Sequence, residues 1–261
     1  MNTEFCEDYW SPGGSDCTLL AGAIANLNAN SRVLDIGCGS GADSINLALK
    51  FSSPCFAVDS EVEYIEMANA ASARFGVDDK VKCLQLNFHD LERYIQSGNL
   101  PDSYDFVIAE GGLASYVGLQ EFFGKLSSLL TPNGFFAISD LVFREGVYFP
   151  KSYSLHFSIP LEVRSFYSTG GYADSVNERS QESQYEELCS ASGLEKVFSF
   201  HLSRAHWRRY HSNMKIHALQ RTGPALRDPS FVETTFHDEA FFNLEAQKYI
   251  SYFYLIGKKI S

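Results

Sequence analysis

Three glycines fall at alternate positions, Gly37, Gly39 and Gly41, inside the stretch VLDIGCGSGA of residues 33–42, directly behind an apolar run. Glycine lets a backbone come within hydrogen-bonding distance of a bulky polar ligand, because no side chain stands at the point of closest approach. Two unrelated nucleotides could be cradled there. GCGSGA satisfies the dinucleotide fingerprint, with Ala42 at its third small position, and a pyrophosphate would then lie on the helix that follows. Asp35, two positions before Gly37, argues for a ligand of the opposite sign. A carboxylate so near the turn repels phosphate and attracts a cation.

S-adenosylmethionine carries an ammonium and a sulfonium and no phosphate, and so answers that sign. DIGCGSG, residues 35–41, resembles the first motif of the class I S-adenosylmethionine-dependent methyltransferases, an acid and an apolar residue followed by Gly-x-Gly-x-Gly. The resemblance continues in order. AVDS ends the second strand-like run with Asp59, 18 residues beyond Gly41, where the family's carboxylate accepts both ribose hydroxyls, and Ser60 follows it. NFHDL after the third run places Asn87 at the adenine amino group and the Phe88 N–H at a ring nitrogen; family members more often carry Asp at the position of Asn87. Cys38 would turn its backbone N–H, not its sulfur, toward the ligand, and Glu110 follows the fourth run. The implied cofactor site is therefore Asp35, Gly37, Cys38, Gly39, Asp59, Ser60, Asn87, Phe88 and Glu110, with S-adenosylmethionine as cofactor and no metal. Within the class the chain most resembles the small-molecule branch related to ubiquinone and menaquinone methyltransferases, on SPGG, EGGLASY and HWRRYHSN.

Methyl transfer from a sulfonium is an in-line displacement with the activated group already in place, so the protein must chiefly align an acceptor and exclude water. A base is needed only where the acceptor loses a proton. Glu110, His156, Glu162, His201 and His206 are candidates, and none is assigned as catalytic. The chain reads AEGG at residues 109–112, where methyltransferases acting on amide or adenine amino groups carry N/D-P-P-Y/F/W. That reading favours a small organic acceptor over DNA. Asp140, at the end of the fifth run, reads as a cap or turn residue.

These residues need a scaffold that brings strand ends together. From residue 32 the runs RVLDI, CFAVD, VKCLQL, YDFVIAE and GFFAISDLV alternate with helix-like segments at 41–50, 61–75, after Asp90, and at 119–130, the last ending in TPNG. LEKVFSFHL and YISYFYLIGKK add two strands, with helical character between them at 205–220. The expected fold is α/β, a Rossmann-like, seven-stranded, mostly parallel sheet with helices on both faces and the last strand antiparallel, in one domain spanning residues 1–261. Ser15 would cap an N-terminal helix within residues 1–30 that buries Leu19, Leu20, Ala23, Ile24 and Leu27 and covers the ligand edge. Residues 142–180 break the alternation with eight aromatics and read as a substrate lid, or alternatively as core or a homodimer interface.

Composition narrows the partners. A net charge of −11 repels nucleic acid, and the one basic run, RAHWRRYH at 204–211, reads as a solvated helix face. The first residues lack the pattern of a signal peptide, no apolar run is long enough for a membrane span, and six cysteines form no CxxC pair. A reducing cytoplasm is the expected setting. Two other functions fit the same motif: a cofactor-binding regulator without catalysis, and an NAD-dependent oxidoreductase, which leaves Asp35 unexplained.

Overall fold

A computed structural model describes residues 5–144, 182–220, 248 and 250–261. Seven strands form one sheet: β1 (Val33–Ile36), β2 (Cys55–Asp59), β3 (Val81–Gln85), β4 (Tyr104–Ala109), β5 (Leu130–Phe143), β6 (Leu194–His201) and β7 (Ile250–Lys259). Their order is 3-2-1-4-5-7-6, with β7 antiparallel to both neighbours and the pairs among β1 to β5 parallel. The chain order reverses between β1 and β4. Their carboxyl ends therefore flank the crevice in which open α/β sheets bind ligands.

Alternation along each strand divides the core. Leu34 and Ile36, Val107 and Ala109, and Phe136 and Ile138 face one layer, with α4 (Leu91–Gln96), α5 (Leu113–Val117), α6 (Leu119–Leu129) and α7 (Glu182–Ala191). Val33, Phe106, Ile108, Ala137, Tyr254 and Ile256 face the other, with α1 (Gly14–Ile24), α2 (Ala42–Phe51) and α3 (Val62–Phe75). Each large side chain so buried contributes about 1.5 to 3 kcal/mol. Period two also puts Asp35 on the face of Val33, under α2. That placement decides its role.

The N-terminal helix departs from expectation. Its buried residues are Gly14, Ser15, Cys17, Thr18, Ala21 and Gly22, while Leu20 is exposed, and the Ser15 hydroxyl donates to Glu7 (2.7 Å) in place of capping the helix. Small residues win the inner face because α1 lies hard against α2. A Cβ on Gly22 would stand 2.5 Å from Phe51 Cε2 and 2.9 Å from Leu47 Cδ2. TPNG is likewise not a simple stop before the fifth strand. Leu130 already pairs with Tyr104, and the register shifts before Phe135 pairs with Phe106. The basic run lies on α8 (Arg204–Gln220), whose Trp207, His211, Met214 and His217 are buried at helical spacing. The aromatic stretch is outside the described residues beyond Arg144, together with its reading as lid, core or homodimer interface and with the candidate bases His156 and Glu162.

Candidate cofactor site

The glycine turn leaves β1 and enters α2. Gly37 and Cys38 both donate backbone N–H bonds to the Val58 carbonyl (2.8 and 3.1 Å), tying the turn to β2. The Cys38 N–H is thus engaged by β2. Gly41 adopts φ 81°, and a Cβ there would stand 2.8 Å from Ala68 Cβ of α3, so this glycine serves the packing of α2 on α3. At Gly37 and Gly39 an added Cβ would meet nothing nearer than 3.8 Å, from Leu113 and Trp10 respectively. At those two positions a Cβ would make only ordinary van der Waals contact, and it is the positive φ of 74° and 51° that favours glycine.

A cavity lies beside them, lined by Tyr9, Trp10, Ser11, Gly37, Cys38, Gly39, Ser40, Ala42, Asp43, Asp59, Tyr64, Glu110 and Gly111. Of the expected cofactor residues, Gly37, Cys38, Gly39, Asp59 and Glu110 line it, whereas Asp35, Ser60, Asn87 and Phe88 do not. Asp35 is 1% exposed and accepts from the Ser44 hydroxyl (2.8 Å) at the first turn of α2. There it braces the helix N-terminus, where an acid is favoured by the helix dipole. Asn87 caps the short 3₁₀ turn at Phe88–Asp90 by accepting from the His89 N–H (3.0 Å). Phe88 is buried and stacked on Phe122, and Ser60 is exposed with its carbonyl accepting from Gln85 (3.1 Å).

Asp59 closes β2. Its Oδ2 accepts from the Gly39 N–H and its Oδ1 from the Glu61 N–H, each at 3.0 Å, so the carboxylate fixes the turn. Glu110, just past β4, is held by the Tyr254 hydroxyl (2.7 Å) and the Ser11 hydroxyl (2.9 Å). Asp43 of α2 accepts from the Thr18 hydroxyl. Burial pushes all three carboxyls above the usual carboxylate range, Asp43 to about 6.

Asp43, Tyr9, Trp10, Ser11, Ser40 and Tyr64 were missed in the sequence. Asp43 had a signal, standing eight residues after Asp35 on the helix that the turn must enter. The N-terminal residues gave only the aromatic pair beside SPGG. Their place is set by long-range contacts: Asn46 brackets the Cys6 peptide (2.8 and 2.7 Å), Ser40 donates to the Asp8 carbonyl, and Trp10 stacks on His217 at 4.5 Å. From α8, Arg209 holds Asp16 (2.8 Å) and the Gly13 carbonyl (2.9 Å), and His217 pairs with Asp8 (2.8 Å). A segment of the N-terminus thereby covers the glycine turn.

The remaining candidates lie off the cavity wall. His201 meets Glu182 (3.1 Å), and His206 lies between Ser203 (2.8 Å) and Cys17 (4.0 Å). Asp140 lies within β5, opposite Phe253, and accepts from the Ser115 hydroxyl (2.8 Å) and N–H (2.9 Å) of α5.

A family model described as "Methyltransferase domain" matches residues 27–190, more than half of the chain and the whole path from β1 to α7. The chain belongs to this methyltransferase domain family. A sterol 24-C-methyltransferase of Clavispora lusitaniae is 25% identical over 117 residues, 45% of this chain and 30% of the relative. The chain thus spans about a third of the length of the curated relatives it matches. A SAM-dependent methyltransferase from Geobacter sulfurreducens, in complex with S-adenosyl-L-homocysteine, superposes with a TM-score of 0.70 at 16% identity, covering 95% of this chain and 92% of that one. One from Thiobacillus denitrificans, bound to the same ligand, gives 0.68 at 16% identity over 98% and 95%. The Rossmann-like sheet expected from the sequence is the methyltransferase fold.

Proposed function

We propose that this methyltransferase domain binds S-adenosylmethionine at the β1/β4 crevice and transfers its methyl group to a small organic acceptor. One observation carries the reading: the cavity wall holds three carboxylates, Asp43, Asp59 and Glu110, and no Lys, Arg or His among its described lining residues. A pyrophosphate there would be repelled without a counter-charge, whereas a sulfonium and an ammonium would be attracted. The bare backbone at Gly37 and Gly39 suits close approach of the ligand. Trp10 adds a donor, since its Nε1 is buried with no hydrogen-bond partner among the described residues, an arrangement that costs about 1 to 3 kcal/mol unless a bound molecule accepts from it.

In this reading Asp59 takes the ribose hydroxyls, and Asp43 and Glu110 face the cationic end. Bound there, the cofactor supplies an activated methyl group. The protein's part is to align the acceptor and keep water out, using the aromatic walls of Tyr9, Trp10 and Tyr64. The sterol methyltransferase similarity supports a small organic acceptor as the class. All six cysteines are free thiols, and no described helix is long and apolar enough to cross a membrane, which supports a cytoplasmic setting.

Titration calorimetry with S-adenosylmethionine, S-adenosylhomocysteine and NAD tests the reading. Saturable binding of both S-adenosyl ligands and none of NAD is expected. Binding of NAD in preference to both would reverse it and favour the oxidoreductase.

A further inference from the structure

We propose that the Ser11, Glu110 and Tyr254 constellation makes the cavity read charge, admitting the sulfonium cofactor with release of a proton and holding the neutral sulfide product more weakly. The inference rests on the cofactor reading above and adds a property of Glu110. Its carboxyl is 8% exposed, yet it lines the cavity, with one oxygen on Tyr254 Oη and the other on Ser11 Oγ. Both partners are hydroxyls, and a hydroxyl donates to a carboxylate or accepts from a carboxylic acid without moving. The same two contacts therefore serve either protonation state. A Lys or Arg partner would have locked the charged form.

The surroundings set the direction. Around Glu110 stand Asp35 of β1, Asp43 of α2, Cys17 of α1, Tyr9 of the N-terminal segment and Tyr254 of β7, all acidic or neutral. Arg209 of α8 is committed to Asp16 and the Gly13 carbonyl. Two ionised carboxylates on residues each only 8% exposed repel each other, so the pair of Asp43 and Glu110 retains a proton until a cation arrives. Burial and the nearby Asp43 both push Glu110 upward, which agrees with this account.

Charge balance in the reaction closes the cycle. Transfer to a protic acceptor X–H breaks the S–CH₃ bond, forms X–CH₃, leaves a neutral sulfide and frees one proton. As the positive centre disappears, a proton appears beside a carboxyl built to hold it. Discrimination between cofactor and product would then rise with pH.

Calorimetry of S-adenosylmethionine and S-adenosylhomocysteine between pH 6 and 9, in two buffers of unlike ionisation heat, counts the protons directly. More protons should be released by the sulfonium ligand, and the ratio of the product's Kd to the cofactor's should rise about tenfold across the range. Glu110→Gln should still bind both ligands with a pH-independent ratio and equal proton counts. Tyr254→Phe keeps the ring stacked on Phe200 and the carboxyl in place but removes one donor to the carboxylate, so the midpoint of the ratio's rise should move to higher pH. Circular dichroism melts confirm that each variant is folded. Equal proton counts in the wild type, or a Glu110→Gln protein that keeps the pH-dependent ratio, would overturn the inference alone. Failure of both ligands to bind would overturn it together with the cofactor reading.

Discussion

Replacing Asp59 with Ala is expected to weaken S-adenosylmethionine and S-adenosylhomocysteine alike, by about 1 to 3 kcal/mol, roughly 5-fold to 150-fold in Kd. The ribose is the same in both ligands, so their ratio should hold while both affinities fall. Asp59 also accepts from the Gly39 and Glu61 N–H groups, and its removal frees the turn as well as the ligand contact. Asp59→Asn keeps one carbonyl oxygen for one of the two backbone N–H groups and so retains part of the turn. Its loss should be smaller than that of Asp59→Ala. Unchanged affinity in the Ala variant, measured calorimetrically, would remove the ribose assignment.

The ligand-free protein should melt at progressively lower temperature as pH rises from about 4 to about 7. Burial raises the carboxyls of Asp35, Asp43, Glu110 and Asp140, with Asp43 and Asp140 going from 3.8 to about 6. Between the unfolded and folded values the native state holds more protons than the unfolded chain, so stability falls as pH rises. For Asp43 and Asp140 this contribution is complete below about 4 and gone above about 6. The rising ionisation of Asp35 and Glu110 extends the loss upward. Glu121, lowered by its hydrogen bond from His89, acts in the opposite sense but is exposed and screened, and buried His211, lowered by desolvation to about 4, also opposes the trend as one group against four raised carboxyls. Asp43→Asn should flatten the decline, and S-adenosylmethionine should protect more at pH 8 than at pH 6. A melting temperature that climbs from pH 5 to 7, followed by differential scanning calorimetry, would contradict the buried acidic cluster.

Most of the fold was legible because its signals are local. Apolar runs of strand length mark all seven strands, and Gly41 marks the start of α2 from the turn itself. The reversed face of α1 was not legible, since the choice of Cys17, Thr18, Ala21 and Gly22 over the leucines depends on how closely α2 approaches. Helix α7 gives a weak pattern in ESQYEELCSA, with only Tyr185 and Cys189 buried, and it was not foreseen.

The site divides along the same line. Gly37, Gly39, Asp59 and Glu110 follow strand ends whose places are fixed by topology, and they meet at the cavity. Asp35 shows the limit of a sign argument made along the chain. Its carboxylate is two residues from the turn, but the strand's alternation turns it toward Ser44, and the acidic character of the crevice comes instead from Asp43, Asp59 and Glu110. Tyr9, Trp10 and Ser11 reach the site by folding back over some thirty residues, and no local pattern announces that. The resemblance to quinone-type methyltransferases adds no observation about the acceptor.

A crystal structure of the protein grown with S-adenosylhomocysteine tests the central claim most directly. The account predicts the adenosyl ribose on the Asp59 carboxylate and the amino-acid end between Gly37, Asp43 and Glu110. Density for that ligand elsewhere on the molecule, with the β1/β4 crevice empty or taking a pyrophosphate, would contradict it.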